Sequence, residues 1–273
     1  MPKLSELLLC SDIDGTALRR SEGVPPRNIE AVRRFTSLGG RFTFATGRVP
    51  YMVREAAEHF AINAPIIAAN GAMLCEPGSL RVLEEHKITQ GVHEAARELV
   101  ALFDGRAAVI IDDGDFYCPV SASEKSRQIA YTHPMVHTDP CKIEEAPNSC
   151  HKILILAENP EQTAGLREEM EIFSGRFGVV VSGERLVELI PQEVDKGRGL
   201  LAVARRLGIR MENTVAIGDN ENDFELLQAA AFSAAPADAA PAVRARVNRV
   251  LCCCMDGALG MLIDELIERC EAG

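Results

Sequence analysis

Short apolar runs alternate with amphipathic stretches over the first third of the chain. Leu7 to Ser11 reads as a buried strand. Pro26 to Leu38 reads as a helix, with Pro at its start and Gly39-Gly40 past its end. Arg41 to Thr46 predicts the next strand, Pro50 to about Ala61 a helix, and Pro65 to Ala69 a third strand. Strands separated by helices imply right-handed crossovers and a parallel sheet.

The pattern changes near residue 85. Ala72 to Cys75 and Leu80 to Leu83 predict a hairpin around Pro77-Gly78, followed by a helix from about Gln90 to Phe103. Ala107 to Ile111 and Phe116 to Cys118, joined by the turn Asp112 to Asp115, predict a second hairpin. Residues 121–149 show weak periodicity and predict no element. Lys152 to Leu156 reads as a strand, Pro160 to Phe173 as a helix, and Val179 to Val181 with Leu186 to Ile190 as a further hairpin. Helices mixed with hairpins imply an antiparallel sheet with helices on one face.

Alternation resumes after Pro191. Helices are expected at Lys196 to Leu207, Glu221 to Ala230, Asp238 to Arg246 and Ala258 to Arg269. Strands are expected at Thr214 to Ile217, Phe232 to Ala234 and, at the sheet edge, Val250 to Cys254. The expected fold class is therefore α/β: a doubly wound, Rossmann-like parallel-sheet core from residues 1–84 and 191–273, with an inserted α+β domain at 85–190.

Composition adds constraints. A chain of 273 residues, 47% hydrophobic and 25% charged, can bury a real core. Its 29 basic and 40 acidic residues give a net charge of −11, with no Lys/Arg-rich run to bind nucleic acid. Such a chain repels a free phosphate ester, so a phosphate site needs a local cation or metal. No apolar run approaches the roughly 20 residues of a membrane span, and the N-terminus has no signal-peptide layout. Nine cysteines without paired spacing argue for reduced thiols and a cytoplasmic setting. Cys252, Cys253 and Cys254 are adjacent; neighbouring strand residues face opposite ways, so the run reads as a buried strand using Cys as a small hydrophobe.

Four segments carry candidate chemistry. Each follows a strand of the parallel sheet or opens a helix, where ligands bind in doubly wound folds. In Asp12-Ile13-Asp14-Gly15-Thr16, two carboxylates at i and i+2 can flank one phosphorus, one attacking and one handling the leaving group's proton; a solvated Asp-rich turn is the plainer alternative. In Ala45-Thr46-Gly47-Arg48, a hydroxyl and a backbone N–H beside Gly can bind phosphoryl oxygens, though Thr46 also suits a helix cap. Lys196, opening a helix in Asp195-Lys196-Gly197, can neutralise phosphoryl charge; a lone Lys is usually a solvated surface residue. Gly218-Asp219-Asn220-Glu221-Asn222-Asp223 offers oxygen ligands for magnesium, with Asp223 one helical turn beyond Asp219; an acidic helix start stabilised by the dipole is the alternative. Together they form a parts list for phosphoryl transfer. His133, His137 and His151 lie in the insert, away from all four segments.

The segments DIDGT, ATGR, DKG and GDNEND resemble the four motifs of the haloacid dehalogenase superfamily. Asn70-Gly71-Ala72 and LVELIPQEVDKGRGL resemble its Cof-type subfamily, whose type C2B cap lies between the second and third motifs. The resemblance spans essentially the whole chain and is weakest over 121–149. It implies Asp12 as nucleophile and Asp14 as general acid/base. It implies phosphoryl binding by Thr46, Gly47 and Lys196, and Mg2+ held by Asp12, Asp219 and the Asp14 backbone carbonyl. Asn222 and Asp223 would support the metal, and Arg48 and Asn70 would line the entrance near the leaving group. Asp14 separates the chain from the dehalogenase branch, which lacks an acid/base there.

The expected function is a phosphatase of a small phosphorylated metabolite, a sugar phosphate or similar, with the insert closing over the site. A phosphomutase with the same chemistry is the enzymatic alternative. A sugar-phosphate-binding regulatory module is the non-catalytic one, and the intact Asp12–Asp14 pair argues against it. Neither the substrate nor the oligomeric state follows from the sequence.

Overall fold

The computed structural model describes residues 3–114, 117–133, 136 and 138–271. It divides into two compact units, residues 1–85 with 195–273, and residues 86–194.

In chain order the first unit begins with β1 (Leu8–Ser11), α1 (Pro26–Ser37), β2 (Arg41–Phe44), α2 (Pro50–Ala57), β3 (Ile66–Ala68), β4 (Met73–Cys75) and β5 (Val82–Glu85). The inserted unit holds α3 (Val92–Phe103), β6 (Ala107–Asp112), β7 (Tyr117–Pro119), α4 (Glu124–Ala130), β8 (Lys152–Ala157), α5 (Thr163–Glu169), β9 (Gly178–Gly183) and β10 (Leu186–Ile190). The first unit resumes with α6 (Lys196–Leu207), β11 (Thr214–Ile217), α7 (Phe224–Ala229), β12 (Phe232–Ala235), α8 (Pro241–Arg244), β13 (Arg249–Val250) and α9 (Ala258–Glu271).

The main sheet runs β13-β12-β11-β1-β2, all parallel. Every residue of β1 is buried, as a strand covered on both faces requires. The order reverses beside β1, which makes its carboxyl end the switch point of the sheet. Register puts Ser11 opposite Ile217 on one side and Phe44 on the other. The loops after β1, β2 and β11 therefore emerge side by side.

In the inserted unit, β7-β6-β8-β10-β9 form an antiparallel sheet. Val109, Ile111, Ile153, Ile155, Val187 and Leu189 face one way and pack under α3 and α5. Lys152 and Glu188 on the opposite face make a buried ion pair, Nζ to Oε1 at 2.8 Å.

Several expectations need correction. The third strand, β3, runs parallel to β2 as expected, but joins it through an isolated bridge, Ala45 to Ile67, and not through a continuous ladder. It also pairs antiparallel with β4 in a three-stranded sheet, β3-β4-β5, which was not expected. The helix expected over Asp238 to Arg246 shrinks to α8, because Pro241 supplies its start and Asp238 is used elsewhere. The cysteine run is not a strand: β13 ends at Val250, and the Asp238 carboxylate takes the Cys254 N–H at 2.9 Å, bending the chain into a single turn at Cys254–Asp256. Nor are all nine thiols free, since Cys118 and Cys141 form a disulfide. Residues 121–149 contain α4, capped by the Ser123 side chain. His133 stacks on Tyr117 and His151 is buried; His137, and the Asp115 and Phe116 of the expected hairpin, lie outside the described residues. Among the described residues no helix is long and apolar enough to cross a membrane.

Candidate active site

Asp12 is the first residue past β1, and its backbone N–H continues the ladder to Ile217 O at 2.9 Å. Its side chain is buried at the centre of a charged cluster. Lys196, the first residue of α6, donates from Nζ to Asp12 Oδ1 at 2.7 Å and to Asp223 Oδ1 at 2.6 Å. A cation at a helix N-terminus opposes the dipole, so the two carboxylates hold this side chain where neither water nor helix would. Lys196 is 1% exposed. Burial alone would lower its pKa; Asp12 and Asp223 outweigh that and hold it above the ordinary lysine value.

Asp223 is fully committed. Besides Lys196 on Oδ1, its Oδ2 accepts the N–H groups of Asp219 (3.0 Å) and Asn220 (3.2 Å). It thus fixes the loop that carries Asp219 as well as the ammonium. Asp219 Oδ1 accepts from the Thr16 hydroxyl at 2.8 Å. Gly15 lets the chain pass beneath: its φ is +83°, and a Cβ there would sit 2.3 Å from Asp219 Oδ2.

Asp12, Asp219 and Asp223 each place a carboxylate oxygen within 4.8 Å of the others. Burial, then Lys196 and the other carboxylates, set the Asp12 pKa, and the sum lies well above the usual carboxylate range. Burial and Asp223 push Asp219 up to about 7. A buried, oxygen-rich set whose carboxylates resist ionisation together is what a hard divalent cation relieves. With Asp223 committed, Asp12 and Asp219 are the side chains able to hold it.

A second cluster lies beside the first. Arg48 grips Asp14 with two parallel bonds, Nε to Oδ2 at 2.7 Å and Nη2 to Oδ1 at 2.6 Å. Arg48 is buried, whereas the Asp14 side chain is 51% exposed. The Thr46 hydroxyl accepts the Arg48 N–H at 3.1 Å, which orients it in a tight turn. Asn70, buried in a left-handed conformation with φ of 55°, accepts from Asn222 Nδ2 at 3.3 Å. Its backbone N–H bonds Thr46 O at 2.9 Å. Asn70 thereby ties the loop after β2 to the loop after β11.

A family model described as haloacid dehalogenase-like hydrolase matches residues 9–260. The chain belongs to the haloacid dehalogenase-like hydrolases. Similar curated proteins include a phosphoglycolate phosphatase from Methanopyrus kandleri, 27% identical and covering 97% of this chain and 99% of its own. A 5-amino-6-(5-phospho-D-ribitylamino)uracil phosphatase from Bacillus subtilis is 24% identical over 94% of this chain and 96% of its own. Among solved structures, a haloalkanoate-superfamily phosphatase from Bacteroides thetaiotaomicron superposes with a TM-score of 0.81 at 21% identity, covering 97% of both chains.

In this hydrolase the fold brings Asp12, Lys196, Asp219 and Asp223 into direct contact, and Asp14, Arg48 and Thr46 into a second set. Gly47 packs against Asn70: a Cβ on it would lie 3.2 Å from the Asn70 amide. Sequence reasoning gave Thr16 no role, although its position four residues after Asp12 in the same segment was a usable signal. The grip of Arg48 on Asp14 had no such signal, because the two are 34 residues apart.

Proposed function

We propose that this hydrolase is a magnesium-dependent phosphatase that acts on a small phosphorylated metabolite through an aspartyl-phosphate on Asp12. The observation that carries the reading is the buried Asp12 carboxylate at the switch point, bonded to a buried Lys196 and flanked by Asp219. Relatives bearing phosphatase names support it.

Lys196 takes Asp12 Oδ1, which leaves Oδ2 to attack phosphorus. As the new Asp12–phosphorus bond forms, the ester P–O bond breaks and the leaving oxygen receives the proton of Asp14. Asp14 then takes a proton from water as that water attacks the aspartyl-phosphate, releasing phosphate and restoring Asp12. Lys196, the Thr46 hydroxyl and the Gly47 N–H stabilise charge on the phosphoryl oxygens. Mg2+, held by Asp12, Asp219 and the Asp14 carbonyl, would neutralise charge between the nucleophile and the phosphoryl group. Asn222 and Asp223 brace that loop.

Hydrolysis is favoured over mutation of phosphate position by the insert's cations. A mutase needs a second phosphate site, yet among the described residues Lys125 pairs with Glu158 at 2.8 Å and Lys152 with Glu188, so neither ammonium stands ready for a second phosphate. The test is turnover of a screened sugar phosphate in oxygen-18 water with magnesium. Free phosphate carrying one labelled oxygen is expected. Positional isomers without free phosphate would establish the mutase, and tight binding without turnover the regulatory module. Verified metal removal should abolish release, and calcium should restore it poorly because of its looser coordination.

The Gly15 contact gives a further expectation. Gly15→Ala must displace Asp219 or strain the loop, so turnover should fall about 100-fold, as for a 1 Å misplacement. Unchanged activity in the folded variant would show that Asp219 need not sit where it does.

A further inference from the structure

The segment after Asp14, the start of α1 and the end of α2 enclose a cavity of about 230 Å³. It lies wholly within the unit of residues 1–85 and 195–273. Leu18, Val24 and Ile29 supply apolar wall, while Arg19, Arg20, Arg48 and His59 supply hydrogen-bond donors. Glu55 is the sole carboxylate in the lining. Asp12, Asp14, Lys196 and Asp219 do not line it; Arg48, which grips Asp14, is the residue it shares with the candidate active site. We propose that this cavity binds a small amphipathic anion, a single acid group on a short apolar body, and that the bound anion acts on Asp14 through Arg48.

Three observations carry this. First, the lining has the make-up of a ligand site: apolar walls with a few convergent polar groups. Its volume falls below the roughly 300–1,000 Å³ of drug-sized sites, which selects a small ligand. Second, the donors are available. A guanidinium has five N–H groups. Arg48 spends two on Asp14 and one on Met52 O, at 3.2 Å, which leaves one on Nη1 and one on Nη2. Arg20 has no ion pair among the described residues, and the carboxylates that hold Arg19, Glu22 and Asp238, stand outside the lining. Third, Arg19 and Arg48 are balanced by carboxylates outside the lining, Glu22, Asp238 and Asp14, so the lining itself turns three guanidinium groups and one carboxylate toward a ligand. Arginine in pairs recognises a planar carboxylate or a phosphate equally well; both are the acid group meant here.

The coupling follows from the shared guanidinium. An anion on the free N–H groups of Arg48 competes for its charge and weakens its grip on Asp14. The expected effect is on proton transfer, therefore on kcat, with KM for the phosphate ester unchanged. This half rests on the reading of Asp14 as acid/base; binding in the cavity does not.

The probe is benzoate, with neutral benzyl alcohol as control, on the metal-loaded enzyme. Calorimetry should show benzoate binding to the wild type and none for benzyl alcohol. Arg20→Gln with His59→Gln, neither in the catalytic machinery, should weaken benzoate at least tenfold with basal turnover kept. Glu55→Gln removes the opposing charge and should tighten it, a gain that misfolding cannot imitate. Benzoate should change wild-type kcat and not KM, and leave the double variant's kcat alone. Absent binding, equal affinity in all variants, or an effect on KM alone would overturn the site. Binding with the expected variant pattern but without any effect on kcat would keep the site and overturn the coupling. The same pattern in a protein that hydrolyses no phosphate ester would keep the site and remove the phosphatase reading.

Discussion

Asp12→Asn is expected to reduce turnover by about 10⁶-fold, the scale seen when an enzyme loses its covalent nucleophile. The reason is chemical and local. An amide oxygen does not attack phosphorus, yet it can still accept the 2.7 Å bond from Lys196 that Asp12 Oδ1 accepts now. Lys196 also keeps its second carboxylate, Asp223, at 2.6 Å. The fold should survive, since burial and three neighbouring carboxylates already oppose the Asp12 charge. The sign of the pH effect follows. An acid whose folded pKa is raised costs stability once pH exceeds its unfolded value, about 3.9 for Asp. Free of metal, the Asn variant should therefore match or exceed the wild type in Tm near neutrality, with the difference closing as pH falls toward that value. Phosphate release and thermal melts on the same preparations check both parts. A folded Asn variant that keeps a substantial share of turnover would end the aspartyl-phosphate reading.

What the sequence made legible was the part governed by local rules. The apolar runs at Leu8–Ser11 and Thr214–Ile217 stand out as buried strands, and the polar residues just past them fall at the carboxyl end of a parallel sheet. Lys196 as the first residue of a helix was readable from Asp195, whose side chain caps α6 through the Arg198 N–H at 2.7 Å. What depended on distant partners was not legible. Nothing local marks Arg48 as the holder of Asp14, or Asn70 as the tie between Thr46 and Asn222. The pairing of β3 with β4 was missed because Ile66–Ala68 is as apolar as a parallel core strand and nothing local announces an antiparallel partner. The seven residues of α4 are too few to show a helical period, and Cys118 with Cys141 is a contact across 23 residues.

Asp14→Asn is expected to lower kcat/KM for sugar phosphates by about 100- to 10,000-fold, the range for a positioned proton-transfer group. The loss for an activated aryl phosphate should be much smaller. A sugar alkoxide is a poor leaving group and needs the proton as the P–O bond breaks; an aryl oxide with a low pKa leaves without it. Geometry supports the assignment, because Arg48 pins both Asp14 oxygens from one side while the carboxyl remains half exposed. Asn cannot reproduce that grip, since its amide nitrogen would face an Arg48 N–H, so some loss from misplacement is common to every substrate. The comparison between leaving groups removes this common factor. It also separates the two roles of Asp14. kcat/KM reports steps up to the first irreversible one, here transfer of the phosphoryl group to Asp12, and so isolates the acid. Attack of water on the aspartyl-phosphate is the same reaction for every substrate, and a deficit in kcat shared by both classes isolates the base. Equal losses of kcat/KM for sugar and aryl phosphates would take the general-acid role away from Asp14 and leave it as the anchor of Arg48.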